Sequence, residues 1–173
     1  MKPALRTFDT RVAKRIGRLP RVWYDFFVAV GFIIRPMFWI ILSLLVALLS
    51  LQAGNTALAM TSIIFAACVP ISTVMKLAFR RQRPVTIYTQ HMRVKSYSFP
   101  SSHSYAAALG STLLGALLVA SGAWVFIPLL LAIVVTVGVS RIYVGAHYPT
   151  DVLGGILLGA FVGGSILLIA NLY

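Results

Sequence analysis

Three separated stretches of this chain carry groups suited to holding a phosphate and attacking it. Lys76 precedes Arg83-Pro84, Pro100-Ser101-Ser102-His103 follows, and Ser140-Arg141 is joined by His147 and Asp151. Each stretch sits at the end of a long apolar run, where an ionisable group is costly and functional by default. Pooled, they supply three fixed cations, two imidazoles, one carboxylate and three serines, Ser101 and Ser102 being an adjacent pair.

Arginine offers planar bidentate donors and lysine a compact point charge, so Arg83, Arg141 and Lys76 form a phosphate clamp. Ser101 and Ser102 open an apolar run, where a serine either caps a helix or turns its hydroxyl to a ligand. The free N–H groups of a helix start also attract anions. Taken alone, His103 and His147 read as polar boundary residues. Asp151, four residues after His147, changes that reading, because it can hold the imidazole in one tautomer and stabilise its cation. Two histidines beside a bound phosphate allow a two-step reaction. One imidazole attacks phosphorus; the other protonates the leaving oxygen and then activates water. That chemistry needs no cofactor and no metal, and the three cations would oppose a metal ion at the same place.

The elements that must position these groups are apolar helices. The 173-residue chain is 60% hydrophobic with a mean hydropathy of +0.93, too apolar for a soluble domain of this size. Runs at residues 37–53, 57–79, 104–120, 123–139 and 152–170 approach the length of about 20 residues that a bilayer crossing requires. The pattern predicts an all-α integral membrane helix bundle, with these five spans preceded by a basic amphipathic interfacial helix. Residues 1–35 form the interfacial N-terminal segment and 36–173 the transmembrane catalytic unit. Within the first, Leu5, Phe8, Val12, Ile16 and Leu19 recur at helical spacing, with Arg6, Arg11, Lys14, Arg15 and Arg18 largely on the other faces. Trp23, Tyr24, Phe26, Phe27, Phe38 and Trp39 read as an interfacial aromatic belt, and Asp25 and Arg35 argue against a full crossing there. The Arg-rich residues before the first span do not match a cleavable signal peptide. Cys68 is the only cysteine and reads as a packing residue.

Net charge of +12 at these positions points to anionic membrane lipids as partners, with no nucleic acid. Gly155, Gly159 and Gly163 recur every four residues, a small-residue face for close helix packing within the chain, or alternatively for a homodimer. Alternating the five spans places every charged residue at one membrane face, leaving two uncharged turns and Asn171, Leu172 and Tyr173 at the other. The positive-inside tendency makes the charged face cytoplasmic.

Lys76-x6-Arg83-Pro84, Pro100-Ser101-Ser102-His103 and Ser140-Arg141-x5-His147-x3-Asp151 resemble the tripartite signature of the type 2 phosphatidic acid phosphatase (PAP2) superfamily, which includes lipid phosphate phosphatases and vanadium haloperoxidases. The resemblance implies that His147 is the nucleophile, Asp151 its orienting partner and His103 the general acid. It also implies that Lys76, Arg83, Ser101 and Arg141 bind phosphate, with the backbone at Ser102. Ser140 fits the motif. Two departures stand out: Ser102 occupies a usual glycine position, and a basic amphipathic segment stands where many bacterial relatives have a first span. Many bacterial members also place the site outside the cytoplasm, against the charge argument. The expected activity is hydrolysis of a lipid phosphate or diphosphate: phosphatidylglycerophosphate, phosphatidic acid or a polyprenyl (di)phosphate. Alternatives are phosphotransfer between lipids, haloperoxidase chemistry, and a non-catalytic lipid-binding membrane module.

Overall fold

The computed structural model describes residues 3–91 and 96–170; Asn171, Leu172 and Tyr173, assigned above to the uncharged face, lie outside the described residues. Nine α-helices and two 3-10 turns are found among the described residues, with no strand. They are α1 (Pro3–Ile16), α2 (Tyr24–Ile33), α3 (Pro36–Gln52), α4 (Thr56–Cys68), α5 (Ile71–Phe79), α6 (Ile87–Gln90), α7 (Ser102–Ala120), α8 (Ile127–Tyr143) and α9 (Pro149–Ala170). Four stretches are long and apolar enough to cross a membrane: Thr56–Phe79, Ser102–Ala120, Trp124–Tyr143 and Pro149–Ala170. A fifth crossing results if Arg21–Ile33 and Pro36–Gln52, bent by 47° at their junction, act as one span. The all-α membrane bundle expected from the hydropathy pattern is therefore the observed architecture.

Local chemistry explains the boundaries. Pro36 starts α3, where its missing N–H costs nothing. The Asn55 side chain accepts from Leu58 N at 2.9 Å and so caps α4. Pro70 follows Cys68 and Val69 and interrupts the run that continues as α5, because it lacks a donor and clashes with the preceding turn. α8 ends in a turn at Gly145, whose φ of +71° favours a residue without Cβ.

The core is built where α3, α4, α7, α8 and α9 meet, from Trp39, Phe65, Tyr105, Leu109, Leu113, Val137 and Ile166. The Tyr105 hydroxyl donates to the Cys68 carbonyl at 2.8 Å, just before the α4–α5 break. Gly155, Gly159 and Gly163 are buried against α7. A Cβ at Gly159 would lie 2.3 Å from the Tyr105 carbonyl oxygen, so the glycines set the approach of the two backbones. The stripe thus serves packing within the chain and leaves no open glycine face on these three residues for a second copy. Outside the core, Ile41, Leu48, Leu129, Leu157 and Phe161 are exposed, a surface that suits acyl chains rather than water.

α1 is helical over the amphipathic stretch, with Leu5 and Phe8 exposed and Val12 and Ile16 half-buried. It packs against α9 and α8. The residue it buries most completely is acidic: Asp9 is 1% exposed.

Candidate active site

The three motifs converge at one end of the bundle. Lys76 lies in the last turn of α5 and is 4% exposed. Its Nζ donates to the Tyr97 carbonyl at 2.9 Å. Arg83 follows in the extended segment after α5. Its Nε donates to the Ser96 carbonyl at 2.9 Å, Nη2 to Ser96 Oγ at 3.0 Å and Nη1 to the Ala146 carbonyl at 2.8 Å. The same Nη1 lies 3.0 Å from His147 Nε2.

That contact fixes the tautomer of His147. A guanidinium has donors only, so Nε2 accepts and keeps an unprotonated lone pair, and the proton resides on Nδ1. Nδ1 faces Asp151 Oδ2 at 3.7 Å and Ser98 Oγ at 3.5 Å. Burial pushes the His147 pKa down to about 4; the nearby carboxylate of Asp151 pulls it up, while Arg83 and Lys76 lower it further. The ring is therefore neutral near pH 7. Burial also lowers Arg83 from its ordinary value, with Asp151 acting in the opposite sense.

Asp151 sits in the first turn of α9 and is fully buried. Its Oδ2 accepts from the Ser98 hydroxyl and from Tyr148 N, the latter at 2.9 Å. Its Oδ1 accepts from Arg81 Nη1 at 2.6 Å. A carboxylate held by this many donors keeps one orientation.

The second and third motifs meet on α2. His103, in the first turn of α7, directs Nε2 to the Gly31 carbonyl at 3.1 Å. A carbonyl only accepts, so Nε2 carries a proton and Nδ1 is the nitrogen left to exchange one. His103 lies in the field of Arg141, His147 and Lys76. Arg141, in the last turn of α8, donates from Nε to Ser140 Oγ at 3.2 Å and from Nη2 to the Phe27 carbonyl at 3.5 Å. Ser140 in turn donates to the Val137 carbonyl at 2.7 Å. A Cβ at Gly31 would lie 1.5 Å from Arg141 Nη2, so glycine is what admits the guanidinium.

Ser101 is the N-cap of α7 and is fully buried. Its hydroxyl accepts from Ser104 N at 3.5 Å and from Ser104 Oγ at 3.1 Å, leaving its own proton to donate. Ser102 opens α7 and is half-buried. Among the described residues, no group of three or more His, Cys, Asp or Glu gathers as a metal-binding set.

Sequence reasoning named the ionisable groups of the three motifs and missed their supports. The belt at residues 22–36 is in part a helix, α2, that presents the Phe27 and Gly31 carbonyls to Arg141 and His103. Ser98, two residues before Pro100, bonds to Asp151. Arg81 and Asp9 complete the cluster; an acid standing alone on a cationic helix was the available signal.

The profile of the PAP2 superfamily matches residues 55–172, more than half of the chain. A decaprenylphosphoryl-5-phosphoribose phosphatase of Mycobacterium tuberculosis (strain CDC 1551 / Oshkosh) is 36% identical over 98 residues, covering 56% of this chain and 51% of that protein. An undecaprenyl-diphosphatase of Sulfolobus acidocaldarius is 31% identical over 102 residues, covering 57% and 48%. The chain thus spans about half the length of these relatives. The crystal structure of a transmembrane PAP2-type phosphatidylglycerolphosphate phosphatase from Bacillus subtilis superposes with a TM-score of 0.84, covering 98% of this chain and 88% of that one at 22% identity. That likeness is one of fold.

Proposed function

The chain belongs to the PAP2 superfamily, and from that premise we propose that it hydrolyses the phosphate ester or diphosphate of a membrane lipid through a phosphohistidine on His147. The observation that carries the proposal is the 3.0 Å contact of Arg83 Nη1 with His147 Nε2, which holds a neutral imidazole with its lone pair among cations suited to phosphate.

The reaction follows from those groups. A lipid phosphate takes Arg83, Lys76 and Arg141 around its nonbridging oxygens, with the Ser101 hydroxyl and the backbone at Ser102 as further donors. Nε2 of His147 attacks phosphorus in line with the leaving oxygen. As the N–P bond forms and the P–O bond breaks, the Nδ1 proton of His103 passes to the leaving lipid alcohol or lipid phosphate. The Gly31 carbonyl accepts from Nε2 throughout, so the proton that His103 exchanges is the one on Nδ1. Asp151 offsets the charge that develops on His147. Water then gives a proton to His103 Nδ1 and attacks phosphorus, the N–P bond breaks, and inorganic phosphate leaves. Dividing the displacement into two steps lowers each barrier, and the fixed cations stabilise the charge that grows on the equatorial oxygens.

The leaving group is a lipid because the site ends a bundle whose outer surface is apolar. The basic α1 segment suits anionic headgroups, and the cation-rich face carrying the site is proposed to be cytoplasmic. Purified protein in mixed micelles, assayed for phosphate release from phosphatidic acid, phosphatidylglycerophosphate, polyprenyl phosphate and polyprenyl diphosphate, tests the function. Release from at least one of these, undiminished by a chelator, is expected; no release across the panel overturns it.

A further inference from the structure

Arg81 lies inside the first motif but holds none of the groups assigned to phosphate. Its guanidinium is divided between two carboxylates from opposite ends of the chain. Nη2 donates to Asp9 Oδ2 on α1 at 2.6 Å, and Nη1 donates to Asp151 Oδ1 on α9 at 2.6 Å and to Thr150 Oγ1 at 2.7 Å. The guanidinium carbon lies 4.2 Å from the centroid of the Tyr148 ring. Asp9 also accepts from Thr150 N at 2.9 Å and from Thr150 Oγ1 at 2.8 Å. It therefore satisfies one of the free N–H groups at the start of α9 from another helix.

This arrangement bears on catalysis through the two oxygens of Asp151. Oδ2 faces His147 Nδ1 and is held by Ser98 and Tyr148 N; Oδ1 is held by Arg81. An arginine facing one carboxylate favours the bidentate fork, with both oxygens taken. Asp9 occupies the second arm of that fork and so leaves Oδ2 to the histidine. A surface ion pair would contribute little, but Asp9 is 1% exposed and the Arg81 side chain 18%, so the geometry is held out of water. A buried carboxylate on a helix otherwise rich in Arg and Lys costs stability unless fully paired, and here the pairing is spent on the catalytic carboxylate.

We propose that Asp9 and Arg81 are positioning residues for the hydrolysis inferred above: Arg81 sets the plane of the Asp151 carboxylate, and Asp9 restricts Arg81 to one of its oxygens. The basic N-terminal helix is then part of the active site as well as a membrane-surface segment. The proposal rests on the phosphatase reading.

Steady-state kinetics of the full-length protein test it, comparing wild type, His147→Ala, Arg81→Gln, Arg81→Lys and Asp9→Asn. His147 is faced by Arg83, Lys76, Asp151 and His103. Removing the Arg81 cation strengthens the anionic field of Asp151 on His147, so the acid limb of kcat/KM moves to higher pH in Arg81→Gln. Its kcat falls about 100-fold, the loss a misplacement of about 1 Å causes, with KM little changed. Arg81→Lys does not restore kcat, because a compact ammonium lacks the planar fork whose two nitrogens reach Asp151 and Asp9 separately. Asp9→Asn loses less, since Arg81 remains on Asp151, and it decides the matter if Arg81→Gln fails to fold. Folded variants with wild-type kcat and an unmoved acid limb, whatever their melting temperatures, overturn the proposal. A wild type without turnover, or an active His147→Ala, overturns the phosphatase reading instead.

Discussion

Arg83 Nη1 lies 3.0 Å from Nε2 of His147, and because the guanidinium can only donate, it selects the nitrogen that keeps a lone pair. The cation from the first motif thereby sets the tautomer of the imidazole proposed as nucleophile in the third, across 64 residues of sequence. It also helps to keep that imidazole neutral, since Arg83 adds to the burial that lowers the His147 pKa to about 4.

The acid limb of the rate profile follows from that value. The kcat/KM of the free enzyme reports the groups that must be in one protonation state. As the proposed nucleophile, His147 reacts only when Nε2 is unprotonated, so activity is expected to persist as pH falls through 6 and to be lost tenfold per unit below about 4. An unshifted histidine would place the break near pH 6.5. Initial rates between pH 3.5 and 8, with the protein shown to remain folded, distinguish the two.

Gly31→Ala is expected to damage the site more than the fold. The new Cβ falls 1.5 Å from Arg141 Nη2, the tip of a long side chain that can shift at the loss of its contact with the Phe27 carbonyl. Displacing that cation from the phosphate site lowers kcat/KM by about 100-fold, while the melting temperature in detergent changes little. Unaltered kinetics would remove Arg141 from the phosphate clamp.

Two glycines of α9 give opposite outcomes on substitution by alanine. At Gly159 a Cβ meets the Tyr105 carbonyl oxygen at 2.3 Å and the Ala108 side chain at 3.0 Å. Backbone does not yield as a side-chain tip does, so Gly159→Ala forces α7 and α9 apart and destabilises by about 1–3 kcal/mol. A Cβ at Gly164 would meet nothing within 4 Å, so Gly164→Ala is neutral or slightly stabilising, as Ala is the better helix former. Thermal unfolding of both variants in detergent checks the contrast.

The proposed cytoplasmic site places the uncharged turn at residues 52–56 outside. In a Cys68→Ser background, Gln52→Cys in intact cells is expected to react with a membrane-impermeant thiol reagent. Protection there, with labelling after lysis, reverses the topology.

Ionisable groups in an apolar sequence were the legible part of this site. Lys76, Arg83, His103, Arg141, His147 and Asp151 stand out because each is costly where it lies, and hydropathy placed the helices that carry them. The supports were not legible for a physical reason. Gly31 and Phe27 act through backbone carbonyls, which every residue possesses, so only the tertiary approach of α2 to α7 and α8 reveals them. Ser98 is a small hydroxyl in a polar connection, where such residues are common for many reasons. Asp9 was disguised by its setting: the periodicity of α1 pointed to its apolar stripe, yet the helix turns a carboxylate inward to Arg81 and the start of α9. The Pro70 break within the second apolar run follows from backbone chemistry that hydropathy does not weigh.

The covalent step is the centre of the proposed mechanism and can be trapped. Protein mixed with a lipid phosphate labelled at the terminal phosphorus, quenched within the first turnovers and separated under denaturing alkaline conditions, is expected to carry label on His147, stable in alkali and lost in acid. His147→Ala should carry none and release no phosphate. A His147→Ala protein that still turns over, or label that resides on another residue in the wild type, would contradict the mechanism.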